Sequence, residues 1–188
     1  FAMRAKSMAY QEIAANGGGI MSSVRAVRKA SLEELVAESE GRLREASKLG
    51  TTFVEIKTGY GLDVESELKM CAAIEYHAER FGAVGTFLGA HVIPDEYKGG
   101  RKKYLDIVCE KMMPRVREYP SIRFADIFVE EGAFTADEAR QVAKAASRAG
   151  LKMKLHIDQF HDVGGGLLAA ELKAISADHL DHTSEMGL

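Results

Sequence analysis

KMKLHIDQ (residues 152–159) alternates apolar and polar side chains and then breaks into a cluster of reactive groups. Period-two alternation marks a strand with one buried face. Met153 and Leu155 therefore share the covered side, and His156 lies on the other, at the strand's very end. Four more short runs have a strand-like texture: TTFVEIK (51–57), AVGTFLGA (83–90), FADIFV (124–129) and AISADH (174–179). Stretches at helical spacing lie between them, at 65–81, 101–118, 135–149 and 163–171. Strands alternating with helices imply parallel βαβ units with right-handed crossovers. Upstream, a helical stretch at 7–16 runs into Gly17-Gly18-Gly19. Ser31, with Glu34 three residues on, forms a capping box that opens a helix reaching Leu49, with Gly50 as its stop.

The doubly wound open sheet and the (β/α)8 barrel share this pattern. Phosphate-binding glycine signatures do not follow the strands, and the triglycine follows a helix. Reactive polar residues follow the strands instead. Lys57 and Tyr60 come after the first, His91 after the second, and Glu130 and Glu131 after the third. His156, Asp158 and Gln159 come after the fourth, and His179 ends the fifth. Chemistry gathered at the C-terminal ends of parallel strands is the layout of a barrel active site. The expected fold is α/β: a partial (β/α)8 TIM barrel of about five consecutive βα units, with residues 1–188 as one partial catalytic domain. A whole barrel takes roughly 250 residues, and the chain lacks an initial methionine, so it reads as an internal piece. An open stack of strands leaves two unpaired edges, which self-association into a homodimer would cover.

Composition narrows the function classes. The chain has 188 residues, 46% hydrophobic and 28% charged, with a net charge of −3 and interspersed signs. That is the make-up of a globular protein without a polyanion-binding face, so neither nucleic acid nor a membrane is an expected partner. The N-terminus has no signal-peptide core. Cys71 and Cys109 form no CxxC pair and read as two buried thiols in a reducing cytoplasm.

Each candidate residue has an ordinary reading beside the chemical one. A neutral imidazole at the end of a strand, such as His156, is a natural ligand for zinc or iron, although a lone histidine is more often a hydrogen-bonded core residue. His179 stands in SADHLDH (176–182), where a neighbouring carboxylate would fix its tautomer and let it shuttle protons near neutral pH. His182 reads as exposed, His77 as a surface or packing residue, and His161 has no evident role. His91 follows small residues that leave room for a ligand. Tyr60 is flanked by glycines that let the backbone present it, as loop anchor or substrate donor. With GxSxG absent and no Cys/His/Asp nucleophile in evidence, a metal-activated water is the simpler route to hydrolysis. Lys57 admits another reading, as a carboxylated lysine bridging two metals.

Six stretches carry a resemblance: YQEIAANGGGI (10–20), VEIKTGYGL (54–62), TFLGAH (86–91), EEGAF (130–134), KLHIDQ (154–159) and SADHL (176–180). In this order they resemble the imidazolonepropionases of the amidohydrolase superfamily. The resemblance implies a (β/α)8 barrel hydrolase of histidine degradation that uses one zinc or iron ion. Its small-molecule substrate would be 4-imidazolone-5-propanoate, and its product N-formimidoyl-L-glutamate. By resemblance His156 is a metal ligand; Tyr60, His91 and Gln159 bind substrate; His179 assists the metal's water. Some members have Glu at the position of Gln159, and a glutamine cannot take a proton. The family's His-x-His ligand pair, its late-barrel Asp, its substrate-binding Arg and its β-sandwich have no match in this chain; Arg4 and Arg25 do not fit the arginine. The resemblance gives Lys57 no metal role. Alternatives are another amidohydrolase, such as a cyclic amidase or deaminase, or a non-catalytic, self-associating half-barrel.

Overall fold

Val54 opens the first ladder where its N–H donates to the Gly82 carbonyl. From there five strands run side by side, every pair parallel, in the order of the sequence. They are β1 (Val54–Lys57), β2 (Ala83–Ala90), β3 (Ile122–Val129), β4 (Lys152–Ile157) and β5 (Ser176–His179). The computed structural model describes residues 20–188; the expected helix at 7–16 and the triglycine lie outside the described residues. Ahead of β1 come α1 (Ile20–Lys29) and α2 (Leu32–Lys48). The crossovers are α3 (Val64–Phe81), α4 (Arg101–Ile107) with its continuation, α6 (Ala136–Ala149) and α7 (Gly165–Glu171). α4 widens into a π segment at Val108–Met112 before α5 (Met113–Val116). Pro114 lies there, and its missing N–H and its ring cannot continue an i→i−4 ladder.

Local chemistry sets the ends of the helices. Ser31 with Glu34, and Thr135 with Glu138, form reciprocal capping boxes. Gly82 and Gly150 close α3 and α6 in the left-handed conformation that glycine adopts without strain. The expected strand at 51–57 begins later, because Thr51 N–H is still tied back to Ala46 at the end of α2. α1 was not anticipated; it seals the first crossover by burying Val24 completely.

The face of the sheet turned to the helices is apolar. Ala125, Ile127 and Val129 of β3, and Met153, Leu155 and Ile157 of β4, pack with Ala139, Val142 and Leu168 of the crossover helices. Burying one large aliphatic side chain contributes about 1.5–3 kcal/mol, so this layer carries most of the stabilisation. The opposite face is polar, and its contacts prove the curl. Lys57 of β1 reaches Asp178 of β5 at 2.6 Å. Four strand spacings separate β1 from β5, roughly 19 Å across a flat sheet, farther than a lysine side chain extends. The sheet therefore bends into half a barrel, and the polar face is its inside.

Candidate active site

Two tiers of charge line this interior. In the lower one, Glu55 accepts from Lys154 Nζ at 2.8 Å and from the Thr86 hydroxyl. The upper tier sits at the C-terminal strand ends. There Lys57 Nζ donates to Asp126 Oδ2 at 2.9 Å and to Asp178 Oδ2 at 2.6 Å. Asp126 is fully buried, and its second oxygen takes the Ile127 N–H. Burial opposes charge on Asp126, but His156 and Lys57 outweigh it and hold its pKa below the usual carboxylate range. Burial likewise disfavours the Lys57 ammonium, yet the two carboxylates raise its pKa. The lysine is thus a bound cation, whereas a carboxylated lysine would set a third anion against Asp126 and Asp178.

His156 stands beside this pair. Its Nδ1 lies 2.9 Å from Asp126 Oδ2, and its Nε2 lies 3.7 Å from Asp178 Oδ2. Even so, the buried Nδ1 has no aligned hydrogen-bond partner. A buried imidazole nitrogen left unpaired is costly, and this one sits where the donor atoms of Asp126, His156 and Asp178 come within 4.8 Å of one another. Nitrogen and carboxylate donors at that spacing fit a divalent ion.

The ring of His179 lies 5.3 Å from that of His156. Asp178, read in the sequence as a brace for His179, is committed to Lys57 instead. His179 itself takes a positive φ of 80°, and Leu180 follows at 66°. Side chains seldom adopt that backbone outside glycine, and such strain concentrates at functional sites.

Tyr60 and His91 meet edge to face with ring centroids 5.3 Å apart. His91 Nδ1 lies 3.0 Å from the Gly59 carbonyl. A carbonyl only accepts, so Nδ1 carries the proton and Nε2 presents a lone pair. Burial lowers the pKa of His91 and favours this neutral form. The glycines flanking Tyr60 are required. A Cβ on Gly59 would fall 2.7 Å from the Leu88 carbonyl, and one on Gly61 would fall 2.6 Å from the Glu67 nitrogen. Glu67, fully buried on α3, accepts the N–H groups of Gly59, Gly61 and Leu62 at 2.8–3.1 Å. Burial pushes its pKa up, against those donors. In Glu67→Gln the carbonyl can stand in for Oε1, but the amide group replaces Oε2 and turns hydrogens toward the Gly59 N–H. We expect a loss of about 2 kcal/mol, read as a fall in Tm of roughly 4–8 °C; an unchanged melting curve would refute this role.

Asp158 and Glu130 hold the fold. Asp158, fully buried, accepts from Val163 N–H, Gly165 N–H and the Thr183 hydroxyl, and so ties down the loop after β4. Glu130 braces the same loop through Phe160 N–H and His161. Gln159 lies half-buried between these two anchors. His77 packs in the interior with Nε2 2.8 Å from Ser39 Oγ, and His182 is exposed. Cys71 is buried and Cys109 half-buried, and both are free. Among the described residues no helix is long and apolar enough to cross a membrane. Asp126, Glu67, Glu55 and Lys154 were missed by sequence reasoning. The one hint for Asp126 was a lone carboxylate in the middle of the apolar run FADIFV.

A curled parallel sheet with histidines, a tyrosine and a cluster of donors that could hold a metal ion at its C-terminal strand ends has the layout of a (β/α)-barrel active site. No protein-family model matches the chain. It is 44% identical to the imidazolonepropionase of Alkaliphilus oremlandii, and 47% identical to those of Syntrophobacter fumaroxidans and Symbiobacterium thermophilum. Each match covers 100% of this chain and 45% of the relative. The chain is thus a relative of the imidazolonepropionases over its full length, and it spans less than half the length of these proteins.

Proposed function

We propose that this chain contributes part of a metal-dependent site that hydrolyses 4-imidazolone-5-propanoate to N-formimidoyl-L-glutamate. The observation that carries the reading is the convergence of Tyr60, His91, His156 and His179 at one mouth of the half-barrel, in a chain similar throughout to imidazolonepropionases. In this reaction water adds across the ring amide. The carbonyl carbon–nitrogen bond breaks, a carboxylate forms, and a proton passes to the departing ring nitrogen. His156 would be one ligand of a zinc or iron ion, which would supply Lewis acidity and an activated water there.

The side chains divide the remaining work. His91, neutral with a free Nε2 lone pair, accepts a hydrogen bond from a ring N–H. Tyr60, whose ring packs against that of His91, donates from its hydroxyl to a carbonyl or carboxylate oxygen. Gln159 can donate and accept toward the ring but cannot take a proton, which leaves proton transfer to His179. Tyr60 and His91 therefore act through positioning.

Tyr60→Phe and His91→Ala in the intact protein should each lower kcat/KM roughly 10- to 100-fold, the worth of one or two hydrogen bonds, with metal content unchanged. Following substrate loss and N-formimidoylglutamate formation, with metal analysis on the same samples, checks both points. A stoichiometric loss of metal in His91→Ala would reassign that residue as a ligand, and failure of the unaltered protein to form the product would remove the function.

A further inference from the structure

Lys57 contacts both carboxylates that a divalent ion at the Asp126, His156 and Asp178 cluster would use. Its Nζ lies 2.9 Å from Asp126 Oδ2 and 2.6 Å from Asp178 Oδ2, inside the cluster these oxygens form with His156. The charge of Lys57 is not needed in the tier below. Glu55 already has Lys154 at 2.8 Å, and lies 3.7 Å from Lys57. The ammonium therefore serves the upper pair. With it, Lys57, Asp126 and Asp178 sum to −1; without it the two carboxylates sum to −2 in a half-buried pocket. Neither carboxylate makes an aligned hydrogen bond to His156 Nδ1, so they hold the lysine rather than the imidazole.

We propose that Lys57 is a built-in counter-cation that keeps Asp126 and Asp178 from taking a second metal ion, leaving one ion on His156. Removing the charge should convert the Asp126/His156/Asp178 cluster into a divalent-ion site. The inference rests on the metal-dependent reading above. It differs from that reading in its measurement, which is a difference in bound metal between variants and not turnover.

The test uses the intact protein with Lys57→Met, Lys57→Gln and Lys57→Arg. Each is loaded with Zn2+, dialysed free of excess and assayed for metal per chain by mass spectrometry. The Met and Gln variants should hold one ion more than the unaltered protein, and Lys57→Arg, which keeps the charge, should not. The additional ion should vanish when Asp126→Asn is combined with Lys57→Gln. Added Zn2+ should also raise the Tm of Lys57→Gln by several degrees more than that of the unaltered protein. Equal or lower metal content in both the Met and Gln variants would overturn the proposal. An unaltered protein without metal would overturn the metal-dependent function, while the difference between variants would still decide the role of Lys57. Should neither variant accumulate in soluble form, recovery on zinc-supplemented expression supports the proposal and continued insolubility overturns it.

Discussion

His156→Ala in the intact protein is expected to lose its metal and at least about 10³-fold in kcat/KM, because metal polarisation is worth several kcal/mol at the transition state. Asp126→Ala should give a smaller and different loss. Asp126 is held by Lys57 and stands 2.9 Å from His156 Nδ1 without an aligned hydrogen bond, so its loss disturbs the surroundings of the ligand rather than removing one. Changes to such supporting groups typically cost 10- to 100-fold in metal affinity or activity. Asp126 is also fully buried, and its removal leaves Lys57 with one close carboxylate where it had two. We expect a stability cost of about 2–3 kcal/mol, below the full penalty of a broken buried pair because Asp178 remains. The discriminating measurements are metal content and thermal unfolding. His156→Ala should be metal-free with a small loss of fold, and Asp126→Ala should be metal-poor with a large one. Full metal retention in His156→Ala would remove it from the ligand set.

This gradation explains which parts of the molecule could be read from the chain alone. Strands β2 and β4 were legible because apolar runs and alternation are local, as in Met153, Leu155 and Ile157. The ends of α2 were legible from Ser31, Glu34 and Gly50, each only a few positions from the helix. The histidines and Tyr60 stood out by following strands. Asp126 did not, because its meaning depends on Lys57, 69 residues away, and on His156 across the next strand. Glu67 sat unremarked in a helix for a similar reason: its partners are backbone N–H groups, which carry no residue signature. The pairing of Lys57 with Asp178 exists only through the curl of the sheet, and curl has no period in a sequence. Local rules thus found the scaffold and the exposed actors, while the charge network that sets them in place needed the fold.

Residues 1–188 expressed alone are expected to show no turnover of imidazolone propionate and far less than one metal ion per chain. Of the ligands that the family resemblance implies, these residues contain His156, and they contain no His-x-His pair. One neutral imidazole holds a divalent ion weakly beside a full set of three or four ligands. The nearby carboxylates offer little help, since Lys57 already engages both at under 3 Å. A competing ion would have to displace an ammonium bound by two charge-assisted hydrogen bonds. Without an ion the water in the mouth keeps its ordinary pKa, and Tyr60, His91 and His179 would position a substrate with nothing to attack it. Among the described residues β1 and β5 also each leave one edge unpaired, a template for association with another chain. A sizing column should therefore show dimers or larger species. Assaying the purified chain with added Zn2+ or Fe2+, beside a full-length relative, tests all three points together. Turnover near that of the relative from a monomer would mean that the cluster at Lys57, Asp126, His156 and Asp178 suffices for catalysis, and that the counter-cation role of Lys57 is wrong as well.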